Sequence, residues 1–188
     1  MYSLGMADFT REEVIQVVLS GRKCENANLS VINLSGADLR GANLQDADLR
    51  GTDLSEANLL NADLSGTTLI RTNLRHANLH GANLGEANLQ DANLNNADLH
   101  GAILPLSKLR GADLRGADLR GVNLLRADLI TANLSYANLC DAYLRGANLS
   151  NADLSNTILV GATYNTKTKW PEGFDPVAAR AVLVKDDD

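Results

Sequence analysis

The chain is short of almost everything that reactive chemistry draws on. Its 188 residues include three histidines, two cysteines and one tryptophan, and aromatic residues make up 4% of the total. Cys24 and Cys140 are too few and too far apart for a disulfide framework. No run of eighteen apolar residues occurs, so no membrane-spanning helix is expected. Met1 to Ser20 carries Asp8, Glu12 and Glu13 where an export signal would be basic and then apolar, which makes a cytoplasmic location the expectation. Lysine and arginine number 17 against 23 acids, and the net charge of −6 speaks against a general binder of nucleic acid or anionic membrane. No nucleophile with a base, phosphate-cradling loop or metal-ligand spacing is present, so no catalytic residue, cofactor site or metal site is assigned. So few aromatics would make a weak globular core, but a solenoid needs only burial between neighbouring coils.

What the chain does have is a leucine at every fifth position from Leu29 to Leu159, twenty-seven without a miss. Two residues before each leucine stands alanine, replaced by Ile32, Val122, Ser107 and the threonines at 52, 67, 72 and 157. Between the two lies, nearly always, Asn or Asp. A period of five fits neither a helix nor a continuous strand. A leucine with a small residue at i−2 is instead a strand-like pair pointing to one side, after which the chain must turn. The residue two after leucine is frequently Gly, as at Gly36, Gly66, Gly101 and Gly146, or Asn, as at Asn61 and Asn151. Both accept the positive φ that a type II turn requires at its third residue. Val31 and Thr131, being β-branched, are expected to use a different turn.

An A-(N/D)-L-x-x motif in unbroken tandem resembles the pentapeptide-repeat family, over about residues 22–166. The resemblance implies an all-β solenoid, a right-handed quadrilateral β-helix with four pentapeptides per coil, hence about seven coils. Leucines twenty apart then stack, so that Leu29, Leu49, Leu69, Leu89, Leu109, Leu129 and Leu149 form one internal column. The tail T-K-T-K-W-P-E-G-F-D-P is similar to the ending of many cyanobacterial members.

Thr10 and Glu13 match a capping box ahead of an apolar run to Leu19, so residues 1–21 are expected to hold a short helix covering the first coil. Residues 22–166 form the rod. Residues 167–188 form a C-terminal cap: Tyr164, Trp170 and Phe174 plug the last coil, and Asp175 and Pro176 open a short helix over Val177 to Val184. The rod is thus expected to be capped by short helices at both ends.

Three groups of side chains stand out from the repeat. His80 and His100, twenty apart, should sit one above the other, with Arg120 continuing their column; no third ligand is placed, so no metal is assigned. Arg110, Arg115 and Arg120 should project from three adjacent faces, either paired with Asp113, Asp118 and Asp128 or free as a belt for an acidic partner. Ile103, Pro105 and Leu106, with Leu125 and Tyr143, form the largest apolar patch readable outside the core and are the candidate partner surface together with the arginine belt. The expected function is that of a non-catalytic scaffold for protein–protein interaction. Two family-derived alternatives are mimicry of DNA toward a type II topoisomerase and a regulatory role in cyanobacterial cell differentiation. A protein partner is expected and nucleic acid is not; a homodimer through the C-terminal end or the apolar patch is a further expectation.

Overall fold

A computed structural model describes residues 10–21 and 23–185. Asp8, cited above, and residues 186–188 of the expected C-terminal cap lie outside the described residues. The first element, helix α1 (Arg11–Leu19), begins at Thr10, whose hydroxyl accepts from the Glu13 amide at 3.2 Å while the Glu13 carboxylate accepts from the Thr10 amide at 2.8 Å. These reciprocal bonds satisfy two of the amides that a helix start leaves free. Val14 is buried, and Ile15, Val17 and Val18 pack against the core beside it.

Beyond α1 the chain winds as a repeat solenoid. From Asn28 with Asp48 to Tyr143 with Thr163, each residue before a leucine pairs in parallel with the residue twenty further on, so four pentapeptides make one lap. The leucines from Leu29 to Leu149 and the alanines two before them line the interior, nearly all of them fully buried. Where threonine or serine replaces alanine, its hydroxyl donates to a leucine carbonyl: Thr52 to Leu29, Thr72 to Leu49 and Ser107 to Leu104, at 2.6 to 2.8 Å. A carbonyl has two lone pairs, so these buried hydroxyls are satisfied without disturbing the backbone pairing.

Every backbone amide of a pentapeptide has its own destination. The Leu49 amide donates one lap forward to Thr68, the Gly51 amide forward to Ile70, the Asp48 amide one lap back to Ala27, and the Thr52 amide across the turn to Leu49. The amide that follows leucine is left over. It is taken by the Asn or Asp two residues before it, as in Ser35 to Asn33 at 2.9 Å and His100 to Asp98 at 2.9 Å. The Asn/Asp position is therefore a local cap on the one amide that the ladder cannot use.

All corners of the rod use one turn. Its third residue has positive φ throughout, with Val31 at 62° and Thr131 at 58°, which overturns the expectation of a different turn at the two β-branched positions. The Val31 amide donates one lap forward to Arg50 at 3.0 Å, and at Thr131 the next amide, that of Ala132, closes the turn onto Leu129 at 3.0 Å. The pairing on both sides dictates the conformation, and the side chain bears the strain.

The C-terminal helix expected over Val177 to Val184 does not form. Asp175 does cap the amides of Val177 and Ala178, at 2.9 and 3.1 Å, and a turn follows. Arg180 then takes φ 62°, and strand β2 (Val182–Leu183) pairs in parallel with strand β1 (Thr163–Tyr164). The last coil offers β1 as an open edge, and pairing with it outweighs the weak helical propensity of two valines. The aromatic plug is present: Tyr164 meets Trp170 edge-on at 5.4 Å, and Trp170 stacks on Phe174 at 5.2 Å.

Gly101 isolates the strain of the corner, since its φ is +64° and an added Cβ would meet nothing within 4 Å. Gly101→Val should lower the unfolding free energy by about 1–2 kcal/mol and Gly101→Asn by clearly less, read by chemical denaturation. Equal effects of the two would contradict a shared positive-φ turn.

Candidate interaction surface

Strand pairing at twenty-residue steps fixes which outward side chains are neighbours. The residues before and after leucine stand on a flat face, and the third turn residue stands at the corner. His80 and His100 do fall in one column, with ring centroids 5.0 Å apart and planes at 81°. Among the described residues no group of three or more potential ligands surrounds them or any other point.

The arginine belt divides. Arg115 donates through Nε to Asp113 at 2.8 Å, with its Nη2 on the second oxygen, and Arg120 grips Asp118 in the same way. Arg40 with Asp38 and Arg50 with Asp48 repeat this D-L-R fork. Aspartate and arginine on either side of a leucine share one side of a strand, so the fork needs no tertiary help. Arg110 has Lys108 at the aspartate position instead, and among the described residues it forms no ion pair. Asp128, the third expected partner, accepts the Ile130 amide at 3.1 Å. The hydrogen-bonding guanidiniums hold the Asp113 and Asp118 carboxyls below the usual carboxylate range, against a smaller opposing effect of burial.

The apolar patch is brought together as expected. Ile103 pairs with Asn123 and Asn123 with Tyr143, so these three form one column. Pro105 and Leu125 are twenty apart in the adjacent column, and the Leu106 amide donates to the Leu125 carbonyl at 2.9 Å. Ile103, Leu106, Leu125 and Tyr143 are all exposed, between 39% and 53%. The patch is also consistent with the backbone. Ile103 removes the cap on the amide following Leu104, but that residue is Pro105, which has no amide to cap. The polar cap and its donor are lost together, and the exchange leaves no orphaned group.

The decisive comparison is with protein-family models. Residues 15–105 and 107–161 match the model for pentapeptide repeats, with eight copies. The chain belongs to the pentapeptide-repeat family. Among solved structures of this family, HetL, described as involved in heterocyst differentiation regulation in the cyanobacterium Nostoc sp. strain PCC 7120, is 33% identical over 84% of this chain and 94% of its own, with a TM-score of 0.35. Rfr23 from the cyanobacterium Cyanothece 51142 is 43% identical over 50% of this chain, with a TM-score of 0.49, and the match spans 63% of Rfr23. QnrB1, a plasmid-mediated fluoroquinolone resistance protein, is 18% identical but aligns over 87% of this chain and 85% of its own with a TM-score of 0.61, a likeness of fold. A comparison with curated protein sequences gave no match. Among the described residues no helix is long and apolar enough to cross a membrane.

Sequence reasoning missed other exposed apolar residues near the end of the rod. Tyr136, 70% exposed at a corner, sits where glycine and asparagine were expected, and Ile158 and Val160 occupy outward positions three residues and one residue short of the glycine corner at Gly161. Each departs from the repeat at its own position, and that departure is the signal that could have found them.

The D-L-R forks make a testable contribution. A carboxyl whose pKa is lowered by folding contributes stability that is present above its ordinary value of about 3.9 and lost as pH falls through the folded-state value. Arg115→Gln should therefore be slightly less stable than wild type at pH 7 and indistinguishable from it once Asp113 is protonated, well below about pH 3.9. High salt should narrow the same gap, as followed by urea denaturation. A deficit that persists at low pH would contradict the pairing.

Proposed function

We propose that the chain is a non-catalytic, cytoplasmic scaffold that works by protein–protein contact. In this reading the solenoid is a right-handed quadrilateral β-helix of about seven coils with α1 over its first coil, and the side chains it displays are held in fixed columns. The observation that carries the reading is the exchange at Ile103 and Pro105, where an outward polar cap and its donor are replaced together by apolar groups. Leu106, Leu125 and Tyr143 extend that surface, with Arg110 and Arg120 on the two adjoining faces of the same stretch of coil and Arg115, half a lap away, on the opposite face. Exposed apolar groups clustered in this way mark contact surfaces more often than scattered ones do. Involvement in cyanobacterial differentiation, suggested by the likeness to HetL, is a special case of such a scaffold.

The second reading is protection of a type II topoisomerase by mimicry of DNA, favoured by the shared fold of the fluoroquinolone resistance protein QnrB1. Against it, the rod from Ala27 to Gly161 carries fourteen acids and ten bases, and four of the aspartates are engaged by arginines of their own pentapeptide. A continuous anionic stripe does not result.

Affinity capture with the full chain from the native cell should retain a defined set of proteins, and Leu125→Glu should release that set while keeping the thermal stability of wild type. Capture unaltered by that change would contradict the scaffold reading of this face. In a supercoiling assay the chain should neither inhibit gyrase nor shield it from a quinolone; shielding would establish the second reading instead.

A further inference from the structure

The outward residues of the face that bears the patch are ordered along the rod. At its corner the column runs Glu86, Leu106, Arg126, each twenty residues from the next, so acid and base stand one rung on either side of an exposed leucine. Rungs are about 4.8 Å apart. In the neighbouring column the order is Gly85, Pro105, Leu125: a hole, a flat ring and a knob. In the third column Asp63 and Tyr143 lie two rungs either side of Ile103. Glu86, Leu106 and Arg126 are all exposed. The opposite edge of the face is lined by Gly81, Gly101 and Gly121, which leave it flat.

Such an order is self-complementary. A second copy laid face to face, related by a two-fold axis running along the strand through Ile103, Pro105 and Leu106, has its rod antiparallel to the first and its corners aligned. Leu106 then meets its own counterpart, Glu86 meets Arg126, Leu125 fills the space over Gly85, and the hydroxyl of Tyr143 comes opposite the carboxylate of Asp63. All these relations occur twice, as an isologous contact requires. The parallel arrangement exchanges the two edges of the face, setting both charges over the glycine corners with no partner.

We infer that the partner of this face is a second copy of the chain, docked antiparallel about Leu106, with Glu86 and Arg126 specifying the register. The inference rests on the reading of the face as a protein-binding surface and names its occupant. Apolar contact around Leu106 and Leu125 supplies the attraction, and the charge pairs reject the other orientation.

The test is a charge exchange read by sedimentation velocity on the full chain, from about 1 to about 500 µM, because one face of a narrow rod falls short of the ~800 Å² per partner of a standard interface. Wild type should form a dimer in this range. Glu86→Arg and Arg126→Glu should each weaken self-association by on the order of tenfold or more, since each sets like charges opposite one another. An equimolar mixture of the two variants should associate at least as well as wild type, because every contact in the mixed pair is then opposite in sign. Recovery in the mixture also shows that neither variant has lost its fold. A wild type that stays monomeric throughout, a single variant that self-associates like wild type, or a mixture that fails to associate would each overturn the inference. If the chain stays monomeric while Leu125→Glu still abolishes affinity capture, the dimer fails and the scaffold reading stands.

Discussion

One backbone amide in every five has no place in the ladder of this rod, and the sequence is arranged around that fact. The amides of leucine, of the corner residue and of the residue before leucine pair with neighbouring laps, and the amide at the alanine position closes the turn. The amide after leucine points to none of these. Leaving it unbonded where water is restricted costs more than the bond itself contributes, so the side chain two residues earlier must be a short acceptor. Asn and Asp recur there for this reason, whatever the surface charge they bring along.

From the same constraint follows which outward changes are tolerated. Arginine after leucine adds a fork onto the capping aspartate, and the charge it brings is cancelled within three residues. Proline after leucine removes the donor and frees the capping position to become Ile103. The apolar face is thus compatible with the backbone that carries it, and packing elsewhere need not compensate. Function in such a molecule is a matter of which side chains the columns display, because the interior is nearly the same in every lap.

Much of this was legible in the sequence. The five-residue leucine period, the small residue at i−2, the capping box of α1 and the stacking of His80 over His100 all follow from local pattern or from the twenty-residue lap implied by the family. Two features were not legible. Val31, Leu106 and Thr131 take positive φ against their own preferences because pairing on both sides leaves no alternative, and single-residue propensity carries no trace of that pairing. The segment Val177 to Val184 carries a good cap in Asp175, yet its end becomes a strand. An unpaired edge at Thr163 and Tyr164 waits for it, and the availability of an edge is a property of the finished rod. The order of Glu86, Leu106 and Arg126 was in the sequence too, but it acquires meaning only when every twentieth residue is read as a neighbour.

Residue-resolved amide hydrogen exchange tests the central claim most directly. Protection should repeat with a period of five, and the contrast lies in two amides of one column: that of Gln90, capped by Asn88 at 3.2 Å, and that of Arg110, where Lys108 offers no acceptor. The Gln90 amide should exchange markedly more slowly than the Arg110 amide, and the amides of Leu89 and Leu109 should be protected alike. Equal exchange at Gln90 and Arg110, or protection without the five-residue period, would contradict the assignment of the amides on which the whole account stands.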